Sequence, residues 1–220
     1  MQYFDIHTHQ PSVRPNDIAI VNIDSFRNKF EFPPKETGIP SERNYFSCGI
    51  HPRYIDDVER QLDELQKYLS LPEVVLLGEA GFDKLAQVSV FLQQDVFLAQ
   101  ADLAEKYCKP MIIHCVKAWQ EIEAAKNKIK PRVPWIIHGF RGNDILATQL
   151  IRQGFYLSFG EYFNLQAVRI AWPGRLFVET DDKPVDVRIV YRKIAEALFI
   201  EESRLVEQVA ENVARLGLIK

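Results

Sequence analysis

Apolar positions along this chain follow two alternating periods. Short runs rich in β-branched and aromatic residues occupy 3–9, 17–23, 44–50, 74–79, 110–115, 133–138, 155–159 and 176–180, and each reads as a strand. Between the later runs the period lengthens to three or four. Val58, Leu62, Leu65 and Leu69 fall on one helical face, as do Val90, Phe91, Phe97, Leu98, Ala101 and Ala104. The same spacing predicts helices over 118–128 and 144–153, and two closing helices over 186–198 and 202–216.

Strands that alternate with helices imply right-handed crossovers and a parallel sheet, and eight of them point to an α/β fold of the TIM-type (β/α)8 barrel class. The first third departs from that pattern. Only residues 10–16 separate the first two strands, and 24–43, which contains Pro33, Pro34, Gly38 and Pro40, has no apolar helical face. The expectation is therefore a trimmed barrel without helices after strands 1 and 2. That trimming accounts for a length of 220 residues, short of the ~250 usual for this architecture. With no repeat, low-complexity stretch or linker, 1–220 reads as a single domain.

Charge narrows the function only a little. The balance of 27 Lys+Arg against 30 Asp+Glu argues against a protein that coats nucleic acid non-specifically, but leaves room for an enzyme with a locally cationic site. The N-terminus lacks a basic segment followed by an apolar core, and no apolar run approaches the ~20 residues of a membrane span. Cys48, Cys108 and Cys115 are odd in number and widely spaced. Together these predict a reduced, cytoplasmic protein with no membrane partner.

The chemistry-bearing residues collect at strand ends. Strict alternation on the first strand puts Asp5, His7 and His9 on one side and Ile6 and Thr8 on the other. His51 follows Cys48-Gly-Ile, His114 ends Met111-Ile-Ile-His, and His138 ends Trp135-Ile-Ile-His. All five histidines thus lie at or just past the C-terminal end of a predicted strand, the rim where barrel active sites are built. Glu79, flanked by Gly78 and Gly81, and Asp181 end two further strands. A carboxylate so placed is costly unless it is paired or binds metal.

In order along the chain, Asp5-x-His7-x-His9, Gly49-Ile-His51-Pro52, Gly78-Glu79-x-Gly81-x-Asp83, His114 after Lys109-Pro110, His138-Gly-Phe140-x-Gly142 and Glu179-Thr180-Asp181 resemble the signatures of TatD-type deoxyribonucleases, a family of amidohydrolase-like metal-dependent hydrolases. The resemblance implies that His7, His9, Glu79 and Asp181 bind one divalent cation and that Glu79 bridges to a second, held by His114 and His138. It also implies that His51 contacts substrate phosphate, that Asp5 and Asp83 orient ligands, and that DNA is the substrate, cleaved near a chain end. A monomer is expected. The cofactor is one or two divalent cations, Zn, Mn or Mg, with the imidazoles favouring the first two. Such cations acidify water and clamp phosphodiester oxygens. Asp181 is the candidate to orient or deprotonate that water, and Glu79 is the second catalytic carboxylate.

Some positions depart from the family pattern. Asp181-Asp182-Lys183-Pro184 carries an extra position and two charges, and Lys117 stands one place beyond the family's usual arginine. Arg53, Lys84, Lys117, Arg141 and Lys183 each follow a rim motif and predict a cationic collar, with Arg53, Lys117 and Arg141 as substrate contacts. The run Lys126, Lys128, Lys130 and Arg132 ends a helix, where cations suit the helix dipole, and belongs to the opposite face. Trp119, Phe140, Tyr162 and Phe163 follow strand ends, where rings can stack on bases. Two other readings stay open: an amidohydrolase-like enzyme acting on a small amide, lactone or phosphoester, and a metal-binding protein with little turnover.

Overall fold

The computed structural model describes residues 1–12, 14, 16–23 and 44–219. Among the described residues there are eight strands: β1 (Phe4–Thr8), β2 (Ile18–Ile23), β3 (Asn44–Cys48), β4 (Val74–Asp83), β5 (Met111–Val116), β6 (Trp135–Ile137), β7 (Tyr156–Phe159) and β8 (Leu176–Val178). They form one sheet in chain order, and an isolated parallel bridge joins Thr8 to Asp181. The pairs β1–β2, β3–β4, β4–β5, β6–β7 and β7–β8 are parallel. The described residues also form seven helices, of which five alternate with the later strands and two follow β8: α1 (Val58–Leu69), α2 (Val90–Tyr107), α3 (Trp119–Ile129), α4 (Asp144–Arg152), α5 (Leu165–Ala171), α6 (Val187–Leu198) and α7 (Glu202–Arg215). The fold is a TIM-type (β/α)8 barrel.

The described residues between β1 and β2 contain no helix, as the short spacing predicts. The irregular excursion expected over 24–43 lies outside the described residues. Helix α5 went unpredicted because it has only seven residues, from its Asn164 cap to the Trp172-Pro173 stop. Strand β4 is longer than its apolar run suggested. Gly81 pairs with His114 and Asp83 with Val116, so the ladder carries four residues beyond Glu79, and a side chain at Gly81 would collide with the His114 carbonyl. No helix among the described residues is long and apolar enough to cross a membrane.

Chain packing resolves two compact units. The first comprises, among described residues, 1–21, 44–45 and 136–219; the second comprises 22–23 and 46–135. In the second, α2 starts at Ser89, whose hydroxyl accepts from Leu92 N, and ends at Cys108 in a left-handed cap. It lays Val96, Phe97, Ala101 and Ala104 on the strands, and Phe97 meets Phe82 and Trp135 at 5.2 Å between ring centres in both pairs. Burying a ring of this size contributes about 2–3 kcal/mol. In the first, Phe140 packs edge-on against Phe159, and Tyr3 against Tyr191. A cavity of about 260 Å³ is bordered by Gln10, Arg14, Ile18, Pro184 and Val187. Arg14 holds Asp186 across its edge at 2.6 Å.

Candidate metal centre and active site

In the first unit, the tails of β1 and β8 are laced together by their backbones. Asp181 N donates to His7 O at 3.0 Å, and His9 N donates to Asp181 O at 3.1 Å. Asp181 is left-handed, with φ 56°, a conformation aspartate tolerates better than most residues. Its Oδ1 lies 3.6 Å from His7 Nε2 and 3.7 Å from His9 Nε2. His138, just past β6, brings its ring centre to 4.5 Å from that of His7. One donor atom each from His7, His138 and Asp181 lie within 4.8 Å of one another.

Behind this cluster stands a buried polar layer. Asp5 accepts from Thr180 N at 3.0 Å and from Thr180 Oγ1 at 2.6 Å, and burial pushes its carboxyl up to about 7 even though both hydrogen bonds act downward. Strict alternation predicted Thr8 on the side away from Asp5. Instead Thr8 Oγ1 meets the same Thr180 hydroxyl at 2.9 Å, because the β1–β2 register slips between Asp5 and Thr8 and breaks the two-residue period. Glu179 is wholly buried, accepts from Gly139 N at 2.5 Å and lies 3.8 Å from His138 Nδ1.

The second unit assembles another cluster. Glu79 is fixed by Asn22: Asn22 Nδ2 donates to Glu79 Oε1, while Asn22 Oδ1 accepts from Glu79 N, both at 3.2 Å, and also from Ser47 Oγ at 3.0 Å. Glu79 Oε2 lies 3.4 Å from His114 Nδ1 and 3.7 Å from His51 Nε2. His51, Glu79 and His114 each place one donor atom within 4.8 Å of the others. Helix α2 braces the strand ends with two buried glutamines seven residues apart on one face. Gln100 bonds both the N–H and the carbonyl of Ile50, next to His51, and Gln93 does the same for Asp83. Asp83 itself lies below the usual carboxylate range: burial acts upward, but bonds from Leu85 N and Arg53 outweigh it.

The donor sets fit a divalent cation. Ligand atoms about 2.1 Å from a shared ion sit about 3.4 Å apart, and imidazole nitrogen with carboxylate oxygen suits a borderline ion. The structure brings His138 beside His7 and Asp181, and sets His51 beside Glu79 and His114. Asn22, Glu179, Thr180, Gln93 and Gln100 were given no role from sequence. Of these, Glu179 and Thr180 stand in the Glu179-Thr180-Asp181 motif, and the other three left no signal.

The cationic collar is smaller than predicted. Arg53 Nε holds Asp83 at 2.5 Å, Lys84 holds Glu121 at 2.7 Å and Lys183 holds Asp182 at 2.8 Å. Lys183 pairs with its chain neighbour, whereas Arg53 and Lys84 find carboxylates far along the chain. Lys117 is exposed, and the Arg141 guanidinium lies 5.8 Å from the ring centre of exposed Tyr162. Phe140 is corrected as a stacking residue: it is 1% exposed and belongs to the core. In the Lys126–Arg132 run, Lys126 lies over the Trp135 ring and Arg132 holds Glu105 at 2.9 Å.

A (β/α)8 barrel carrying imidazoles and carboxylates at its strand ends defines the class of barrel metal-dependent hydrolases. Within it, this chain belongs to the family of TatD related DNases, whose model matches residues 34–217. A metal-dependent hydrolase of unassigned activity from Buchnera aphidicola is 29% identical over 165 residues, 71% of this chain and 62% of that protein. A second Buchnera relative is covered over 58% of its length, so the chain spans about three-fifths of these proteins. A protein of Cronobacter turicensis named 3'-5' ssDNA/RNA exonuclease TatD is 29% identical over 63% of this chain and 59% of its own. Among solved structures, the Escherichia coli TatD homologue YJJV superposes with a TM-score of 0.77 over 97% of both chains at 19% identity. A TatD family hydrolase of Entamoeba histolytica gives 0.77 over 98% of this chain and 97% of its own, at 16% identity.

Proposed function

We propose that this chain is a metal-dependent nuclease that hydrolyses phosphodiester bonds near the end of a single nucleic-acid strand. The observation that carries the reading is the convergence of His7, His138 and Asp181, with His9 against the same carboxylate, on donor spacings a single cation would satisfy. In this reading His7, His9, His138 and Asp181 offer donors to one divalent cation, and Glu79 and His114 offer donors to a second. The cations supply Lewis acidity toward phosphate oxygen and water. Asp181 orients the attacking water and accepts its proton, His51 donates to a phosphate oxygen, and Lys117 and Arg141 each offer a cation to substrate phosphate. The name of the Cronobacter relative supports a strand end in DNA or RNA as the substrate.

The test is turnover of end-labelled single-stranded DNA by protein stripped with chelator and then reloaded with zinc or manganese. The expected result is stepwise release of mononucleotides, lost on stripping and restored on reloading. Bound metal with no nuclease activity, but turnover of a small ester or amide, would assign the amidohydrolase-like alternative.

A further inference from the structure

The cavity in the first unit is lined differently inside and at its edge. Asp5, Thr8, Asp17 and Thr180, all buried, border its interior beside the apolar side chains of Ile18 and Val187. Gln10, Arg14 and Lys183 border it too and are more exposed. None of His7, His9, His138 and Asp181 borders the cavity, so it is distinct from the metal centre, although Thr8 lies between the first two in sequence and Thr180 precedes Asp181.

Most of its polar groups are already paired. Arg14 lies on Asp186 at 2.6 Å and Lys183 on Asp182 at 2.8 Å. Both oxygens of Asp5 accept from Thr180, one from the N–H and the other from the hydroxyl. Asp17 differs. Arg188 Nη2 donates to its Oδ1 at 3.0 Å and Tyr3 N to the same oxygen at 3.4 Å, while Oδ2 accepts from none of the described residues. The Arg188 guanidinium already answers the charge, so what Oδ2 lacks is a hydrogen-bond donor and not a cation. At 4% exposure a carboxylate oxygen without a donor is costly, and the cavity is where one can approach.

Size and lining narrow that donor. About 260 Å³ is far more than the ~30 Å³ share of one liquid water and falls just below the ~300 Å³ at which sites for drug-sized molecules begin. With Arg14 and Lys183 engaged, the cavity suits a small neutral molecule that has hydroxyls on one side and a flat apolar face on the other. Carboxylates take sugar hydroxyls in this way in dinucleotide-binding folds.

We propose that this cavity binds a pyrimidine nucleoside, with a sugar hydroxyl donating to Asp17 Oδ2 and the base lying against Ile18 and Val187. The choice of a nucleoside among hydroxyl-bearing rings rests on the proposed nuclease activity, whose products carry one; the need for a neutral donor does not. Thr180 and Lys183 stand on either side of Asp181 in the chain, so a bound nucleoside sits against the segment that carries the proposed catalytic carboxylate.

Methyl NMR spectra of the full chain, stripped of metal with chelator so that nothing turns over, read the site during titration with 2′-deoxycytidine. Saturable shifts are expected at the Ile18 and Val187 methyls and none at Leu65 in α1, with a dissociation constant of about 1 mM or tighter. Free 2-deoxyribose should bind at least about tenfold more weakly, because it lacks the base. Deoxycytidine monophosphate should bind within about threefold of the nucleoside, because the neighbouring cations are held. Asp17→Asn removes the charged acceptor and should weaken binding about tenfold or more. Val187→Phe fills the cavity and should abolish the shift at Ile18.

No saturable shift at Ile18 and Val187 would overturn the inference, leaving Asp17 Oδ2 to water alone. Equal affinity for 2-deoxyribose, the same shifts from inorganic phosphate, or unchanged binding in folded Asp17→Asn would overturn it too. If one variant does not fold, the wild-type titration and the other variant still decide. Cleavage of single-stranded DNA without nucleoside binding to the stripped protein removes this site alone, whereas binding without cleavage keeps the site and removes the nuclease reading.

Discussion

The carboxylate of Asp5 and the hydroxyl of Thr180 meet at 2.6 Å in a wholly buried setting, with Thr180 N donating to the second carboxylate oxygen. This pair ties the start of β1 to the residue between Glu179 and Asp181. Thr180→Val keeps the shape and removes the hydroxyl, leaving one Asp5 oxygen and the Thr8 hydroxyl short of a bond. The expected cost is about 2–3 kcal/mol in urea unfolding, whereas Thr180→Ser should stay within about 1 kcal/mol of the wild type.

Asp181 is held by backbone bonds to His7 and His9, so replacing its side chain should not loosen the fold. Asp181→Asn removes the charge at constant shape. Turnover of labelled single-stranded DNA should fall about 10²- to 10⁴-fold while the thermal midpoint shifts little. His51→Ala should instead raise KM and leave metal content unchanged.

Three of the five collar cations are already engaged, which divides the collar. Lys117→Ala and Arg141→Ala should each raise KM for DNA several-fold at low salt, and the effect should shrink at physiological ionic strength. Lys84→Ala and Lys183→Ala should change KM less than twofold, since Glu121 and Asp182 already satisfy those charges. Equal effects across all four would show that substrate competes successfully for the paired lysines.

Glu105 gives the fold a pH dependence away from the rim. Burial raises its carboxyl, but Val133 N, the Arg132 guanidinium and Arg132 N more than offset this, so it lies below the ordinary glutamate range. A depressed folded value means that its contribution is complete above the ordinary glutamate pKa and is lost as pH falls through the folded one. Glu105→Gln should cost about 1–2 kcal/mol at neutral pH. That difference should narrow below about pH 4.5, read from urea midpoints measured across the acid range.

The strand framework was legible because each strand is a short apolar run, and the rim was legible because every histidine closes or follows one. The braces were not. Gln93 and Gln100 occupy apolar-face positions of α2, where an amide and a leucine share the same helical period; only the nearby backbone of Ile50 and Asp83 gives those amides their use. Asn22 reaches Glu79 from 57 residues away, and no local pattern records a contact of that range.

By itself the sequence determined which residue types stand at which strand ends, since the alternation of apolar runs and helical faces already orders eight strands. Only the tertiary structure decided which side of β1 Thr8 takes, because a register slip is a property of paired strands. It alone also decided that His51 and His114 both meet Glu79, because contacts between strand ends far apart in the sequence are set by how the strands pair and not by any local pattern.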